Sequence, residues 1–148
     1  MRTEELHKTP GHLVRRVHQI SLARFSQNMQ GCDLTSVQYA ALVAIGSQPG
    51  LDATRVAEAI AVDKATIGGV LERLVAKNFV VRRACPEDRR VKTLNLSKAG
   101  QGALKDAALC AMKAQADMLA PLNVAERKQF VGLLTKLIRL HSAEALKP

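Results

Sequence analysis

Five cations fall within eleven residues: Arg82, Arg83, Arg89, Arg90 and Lys92, around the acidic turn Glu87-Asp88. Guanidinium groups at this density suit phosphate and a narrow, electronegative groove. Asp88, two residues before Arg90, is placed to pair with that guanidinium and aim it. A second group lies just upstream, in Asp63-Lys64-Ala65-Thr66-Ile67-Gly68-Gly69. Lys64 and Thr66 can donate to phosphates or base edges. Gly68 and Gly69 each cost a helix about 1 kcal/mol relative to Ala. They therefore serve either the close approach of a groove or the packing of a neighbouring helix. Arg73, further along, can reach a phosphate backbone. Between Lys64 and Lys92 there are eight basic and three acidic residues, which carries more than half of the chain's net charge of +9. The plainer alternative is a solvated charged turn and ordinary first-turn helix residues.

Another chemically capable group is Pro10-Gly11-His12-Leu13-Val14-Arg15-Arg16-Val17-His18. Arg16 can hold a carboxylate in bidentate fashion. His12, Arg16 and Gln19 line one edge of the Leu13, Val17, Ile20 stripe. Taken singly, each also reads as a surface arginine or a satisfied histidine. His7, His12, His18 and His141 and the cysteines show no tight pairing, so no metal site and no cofactor are expected. Cys32, Cys85 and Cys110 are odd in number and widely spaced, which implies no disulfide framework. Basic neighbours can lower the thiol pKa of Cys85, and Cys110 reads as filler on an Ala-rich helix. No Gly-rich phosphate loop, nucleophile elbow or paired carboxylates is present, so no enzyme is expected.

These groups need elements to hold them. Pro10 suits the first turn of a helix running to about Asn28. Gly31-Cys32-Asp33 breaks it. Thr35-Ser36-Val37-Gln38 forms a capping box for a second helix, ended by Gln48-Pro49-Gly50. Asp52 caps a short third helix with Val56, Ala57 and Ile60 inward. A four-residue turn, Ala61-Val62-Asp63-Lys64, leads to a fourth helix over 64–77, with Ile67, Val70, Leu71, Leu74 and Val75 inward. Asn78 suits its C-terminal cap. Val80 to Ala84 and Val91 to Leu96 read as a β-hairpin with a charged tip. Ser97 caps an Ala-rich helix to about Leu119, and Asn123-Val124-Ala125-Glu126 boxes a last helix. That helix carries Phe130, Leu133, Leu134, Leu137, Ile138 and His141 on one side.

Two short helices joined by a tight turn and followed by a hairpin make a winged helix-turn-helix, whose second helix enters the major groove. The fold class expected is mainly α with a small β-hairpin wing. Residues 34–97 form the DNA-binding lobe, and 10–30 with 98–145 the helical dimerisation region. At 148 residues the chain is one such module plus an oligomerisation element. Its 3% aromatic content leaves a core of Leu, Val, Ile and Ala, which favours helices. No apolar run is long enough for a membrane span. Met1-Arg2-Thr3-Glu4-Glu5 leads into no apolar region, so a cytoplasmic protein is expected.

The stretch from Leu34 to Gly100 resembles the MarR family of bacterial transcription regulators. Leu34-Thr35 with Gln38-Tyr39, Val62-Asp63-Lys64-Ala65-Thr66-Ile67, Pro86-Glu87-Asp88-Arg89-Arg90 and Leu96-Ser97-Lys98-Ala99-Gly100 carry the resemblance, in order and spacing. Asn78 stands where the family usually has Gly, and Gly68-Gly69 where it often has a polar or basic pair. The reactive first-helix cysteine of thiol-sensing members is absent. The resemblance implies a homodimer on double-stranded palindromic operator DNA, acting as a repressor relieved by a small ligand. The DNA-contacting residues are then Lys64, Thr66, Gly68, Gly69, Arg73, Asp88, Arg89, Arg90 and Lys92. The family's ligand crevice, between dimer helices and lobe, makes His12, Arg16, Gln38 and Tyr39 the ligand-binding candidates. Relatives with a similar Pro-Gly-His-Leu segment govern breakdown of aromatic or pyridine carboxylates, so a small aromatic carboxylate is the expected effector. The competing reading is an architectural or constitutive DNA-binding protein without effector, which a filled crevice near Arg16 would favour.

Overall fold

The computed structural model describes residues 2–145, with side chains through 142. The elements are α1 (Thr3–Leu6), α2 (Pro10–Asn28), α3 (Ser36–Ser47), α4 (Ala53–Ala59), α5 (Lys64–Ala76), β1 (Val80–Ala84), β2 (Lys92–Leu96), α6 (Lys98–Leu119) and α7 (Val124–Ala145). This is the mainly helical, winged arrangement expected. The starts of five helices follow from their caps. Thr35 Oγ1 accepts from the Gln38 amide at 3.2 Å while Gln38 Oε1 accepts from the Thr35 amide. Asp52 accepts from the Arg55 amide, Asp63 from Thr66 and Ser97 from Gly100. Asn123 and Glu126 exchange the two bonds of a capping box at the head of α7. Each such cap satisfies backbone donors that a helix start leaves free.

The core runs through α3, α4, α5 and the hairpin. Leu42, Ile45, Val56, Leu71, Leu74, Val80 and Leu94 are fully buried. β1 and β2 pair antiparallel from Val80↔Leu96 to Ala84↔Lys92. A third segment, which no sequence pattern marks, joins the hairpin: Leu51 bridges Leu94, with the Leu94 amide donating to the Leu51 carbonyl at 2.8 Å. That bridge fastens the entry to α4 onto the wing strand. Also missed was α1, four residues that no apolar periodicity marks.

Two helices join this lobe to the rest. α2 packs along α6, whose Ala107, Ala111 and Ala114 are buried and leave room for a close neighbour. The start of α6 is pressed onto the end of α5. A Cβ on Gly100 would lie 2.0 Å from the Phe79 carbonyl oxygen, and the Ser97 amide donates to that same oxygen. Asn78 takes the left-handed conformation expected of it, φ 58°, which turns the chain from α5 into β1. By contrast, among the described residues α7 makes no extended contact with any other element of its own chain. Its Leu133, Leu137 and Ile138 are 63%, 54% and 67% exposed. Leu13, Val14 and Ile20 of α2 are exposed as well.

Candidate nucleic-acid interface and ligand cavity

The turn between α4 and α5 is tight because Ala61 adopts φ 57°, a conformation unusual for a residue with a Cβ. It delivers Asp63 to the head of α5, where its carboxylate accepts the Thr66 amide at 2.7 Å. That backbone bond, helped by the Thr66 side chain, holds the Asp63 carboxyl below its ordinary pKa. Lys64, Thr66, Gly68 and Gly69 are all exposed on the first two turns of α5, and Arg73 is exposed further along. Nothing lies within 4 Å of a Cβ built on Gly68 or Gly69. Among the described residues of this chain no neighbouring helix needs the space, so the backbone here is open to a partner from outside the chain.

At the wing, the Cys85 amide donates to the Val91 carbonyl and the Val91 amide to the Asp88 carbonyl, at 2.9 and 3.0 Å. β2 consequently begins at Lys92, one residue later than the sequence indicated. Asp88 departs from expectation. Its Oδ1 accepts from the Arg90 backbone amide at 3.0 Å, and no ion pair joins it to the Arg90 guanidinium among the described residues. An Asx-type bond two residues on is the local alternative open to any turn aspartate. It fixes the loop and leaves the guanidinium unengaged by that carboxylate. Arg82, Arg83, Arg89, Arg90 and Lys92 are all exposed.

The four ligand-binding candidates do not meet within one chain. His12 and Arg16 line a depression of about 420 Å³ with His7, Leu13 and Arg15. Arg16 donates to Gln19 Oε1 at 3.2 Å. Partial burial, then the charges of Arg15, His7 and Arg16, hold the His12 imidazole below its ordinary pKa. Gln38 is buried with its amide used in the α3 cap. Tyr39 leans on Phe25, ring centroids 5.8 Å apart, and lines a separate shallow cavity with Leu51 and Ile60.

A cavity of about 880 Å³ opens where the end of α2, the start of α3 and the end of α5 converge. Leu22, Phe25, Met29 and Leu34 give it apolar walls, and Gln38, Arg73 and Lys77 line it too. Lys77 is engaged by Asp33, Nζ to Oδ2 3.0 Å, and also bonds the Asp33 carbonyl. Volume and lining match small-molecule sites in general. The sequence pointed to Gln38 here, but to Arg73 only as a backbone contact and to Lys77 not at all. Among the described residues no cluster of His, Cys, Asp and Glu is placed to hold a metal ion. No helix there is long and apolar enough to cross a membrane.

The MarR family model matches residues 34–92, from the end of the α2–α3 loop to the first residue of β2. The transcriptional repressor NicR of Pseudomonas putida is 36% identical over 130 residues, covering 86% of this chain and 81% of its own. BpsR of Bordetella bronchiseptica, whose DNA binding is regulated by 6-hydroxynicotinic acid, superposes with a TM-score of 0.84 at 33% identity. That match covers 88% of this chain and 94% of BpsR. The regulator PcaV of Streptomyces coelicolor gives a TM-score of 0.78 at 30% identity, over 94% of this chain and all of its own. An exposed recognition helix, a basic wing and these relatives agree: the chain belongs to the MarR family and is a winged-helix transcriptional regulator, not an enzyme.

Proposed function

We propose that this protein is a cytoplasmic homodimeric repressor, released from a palindromic operator by a small aromatic carboxylate. The observation that carries the reading is the open 880 Å³ cavity at the junction of α2, α3 and α5, beneath the helix that carries Lys64 and Thr66. A molecule seated there touches both the recognition helix and α2, so its binding energy depends on how the two sit relative to each other. Only such differential affinity can shift the DNA-binding equilibrium. A hundredfold loss of operator affinity asks for about 2.7 kcal/mol of coupling, within the usual range. NicR is a repressor and BpsR responds to 6-hydroxynicotinic acid, which supports a repressor answering to an aromatic acid. The depression beside Arg16 is open rather than filled, which disfavours a constitutive DNA-binding protein.

Phe25, Leu22 and Met29 suit a flat ring, and the carboxylate needs a cation. Arg16 is the candidate from the sequence, with His12 beside it and Gln38 and Tyr39 from α3 completing the set. Arg16 lies nine residues before Phe25, about 14 Å along the helix. Arg73 and Lys77 are the cations lining the cavity itself, and Lys77 is held by Asp33, so Arg73 is the second reading. A thermal-shift screen of hydroxylated benzoic and pyridine carboxylic acids identifies the ligand. Gel shifts with the promoter beside the gene then compare Arg16→Ala and Arg73→Ala. The variant whose remaining operator binding no longer responds to the acid marks the anchor. If neither acid class shifts the melting temperature or releases DNA, the effector reading is wrong.

A further inference from the structure

Cys32 and Cys110 are 78 residues apart in sequence, yet the Cys32 thiol donates to Cys110 Sγ at 3.9 Å. Both are half-buried free thiols, so neither is sealed from small oxidants. A disulfide has an S–S bond of about 2 Å, so closure asks the two sulfurs to approach by roughly that much again. Cys32 is well placed to make the move. It sits in the loop between α2 and α3, flanked by Gly31 at φ 100° and Asp33 at φ 46°, rather than inside a helix. Cys110 is fixed on α6. We propose that Cys32 and Cys110 form an intrachain dithiol that a hydroperoxide converts reversibly into a disulfide, tying the α2–α3 loop to α6.

The chemistry balances with hydrogen peroxide as the oxidant. One thiolate attacks a peroxide oxygen; the O–O bond breaks, a sulfenic acid forms and hydroxide leaves. The neighbouring sulfur then attacks the sulfenic sulfur, the S–S bond forms and water departs. Two thiols lose two protons and two electrons, and one peroxide becomes two waters. Burial, the bond to Cys110 and the nearby Asp106 charge push the Cys32 thiol above its ordinary pKa. Oxidation is therefore slow at neutral pH and quickens as pH rises toward the thiol's pKa.

The position gives the bond a reach beyond its own two residues. Met29, Gln30, Gly31, Asp33 and Leu34 of the same loop line the large cavity, and Asp33 holds Lys77 at the end of the recognition helix. Fixing Cys32 on α6 thus fixes one wall of that cavity.

The test uses the full-length protein, treated with hydrogen peroxide at pH 8 and mapped by mass spectrometry without reduction. The expected result is the loss of two of three titratable thiols per chain and a peptide joining Cys32 to Cys110. Dithiothreitol restores both thiols. The melting temperature of the oxidised form rises by several degrees, because a long loop is closed in the unfolded chain. Cys85→Ser behaves like the parent; Cys32→Ser and Cys110→Ser lose the linked peptide and the melting shift. Circular dichroism establishes that these serine variants are folded. The proposal is overturned if no Cys32–Cys110 peptide forms, if the two thiols go to sulfinic acid instead, or if the product is a Cys85-linked covalent dimer.

Discussion

Four residues show how single side chains, or their absence, set the fold and its contacts. Gly100 is buried with the Phe79 carbonyl occupying the space a Cβ would need. The obstacle is backbone, which cannot swing aside, so Gly100→Ala should destabilise by at least the 1–3 kcal/mol typical of overpacking; urea denaturation measures it. Gly68 and Gly69 are the opposite case, helical and facing open space. Alanine at either position should stabilise the protein by up to about 1 kcal/mol while weakening operator binding, since the added methyl stands where a groove would come. A variant that gains both stability and affinity would show that close approach is not what these glycines serve. Asp63 makes the pH dependence explicit. Its folded pKa lies below the unfolded value, so its capping contribution is fully present above that unfolded value, about pH 4. The contribution is lost as pH falls through the folded value. In an acid titration followed by circular dichroism, Asp63→Asn should remove this component and leave the neutral-pH signal intact.

At the scale of elements, local signals carried far. The bounds of α2, β1 and α6 can be read to the residue because Pro10, Asn78 and Ser97 punctuate the chain there. The wing strand β2 was read one residue long because Val91 is apolar and alternates correctly; its amide is nevertheless spent on Asp88. The role of Asp88 changes what its removal does. Arg90→Ala should weaken operator binding by about 1–3 kcal/mol per half-site, measured by fluorescence anisotropy. Asp88→Ala should cost less and act by loosening the turn, so the loss shows as faster hydrogen exchange at the Arg90 amide as well as weaker binding. Both parent and variants should bind less as salt rises, with a shallower slope in Arg90→Ala. An Arg90→Ala protein with parental affinity would take the wing out of DNA recognition. What no element-level pattern reveals is which end of one helix meets another. Helical periodicity put His12 and Arg16 on one edge of α2 but was silent on their distance from Gln38 and Tyr39 of α3. The Cys32–Cys110 contact and the Arg73–Lys77 side of the cavity were hidden for the same reason: they are made by the fold, between segments far apart in sequence.

For the whole molecule, α7 is the decisive element. A 22-residue helix whose Leu133, Leu137 and Ile138 lie open leaves most of its apolar stripe uncovered by the described residues of its own chain. The exposed Leu13, Val14 and Ile20 of α2 offer the matching apolar surface. We propose that a two-fold partner covers both, which sets two recognition helices about one DNA turn apart. Light scattering should give a dimer at micromolar concentration, and Leu137→Glu should shift it toward monomer with loss of operator binding. A wild-type monomer would overturn the arrangement.

The separation of α7 from the winged lobe has a genetic consequence. In the proposed dimer, damage to the wing leaves the pairing helix intact, so an Arg90→Ala subunit should still recruit undamaged subunits. With equal amounts of the two proteins and random assortment, roughly three quarters of the dimers contain at least one defective half. On this proposal such an allele should be dominant over the wild type, whereas a chain truncated before Val124 should be recessive, because it would not enter the pool of mixed dimers.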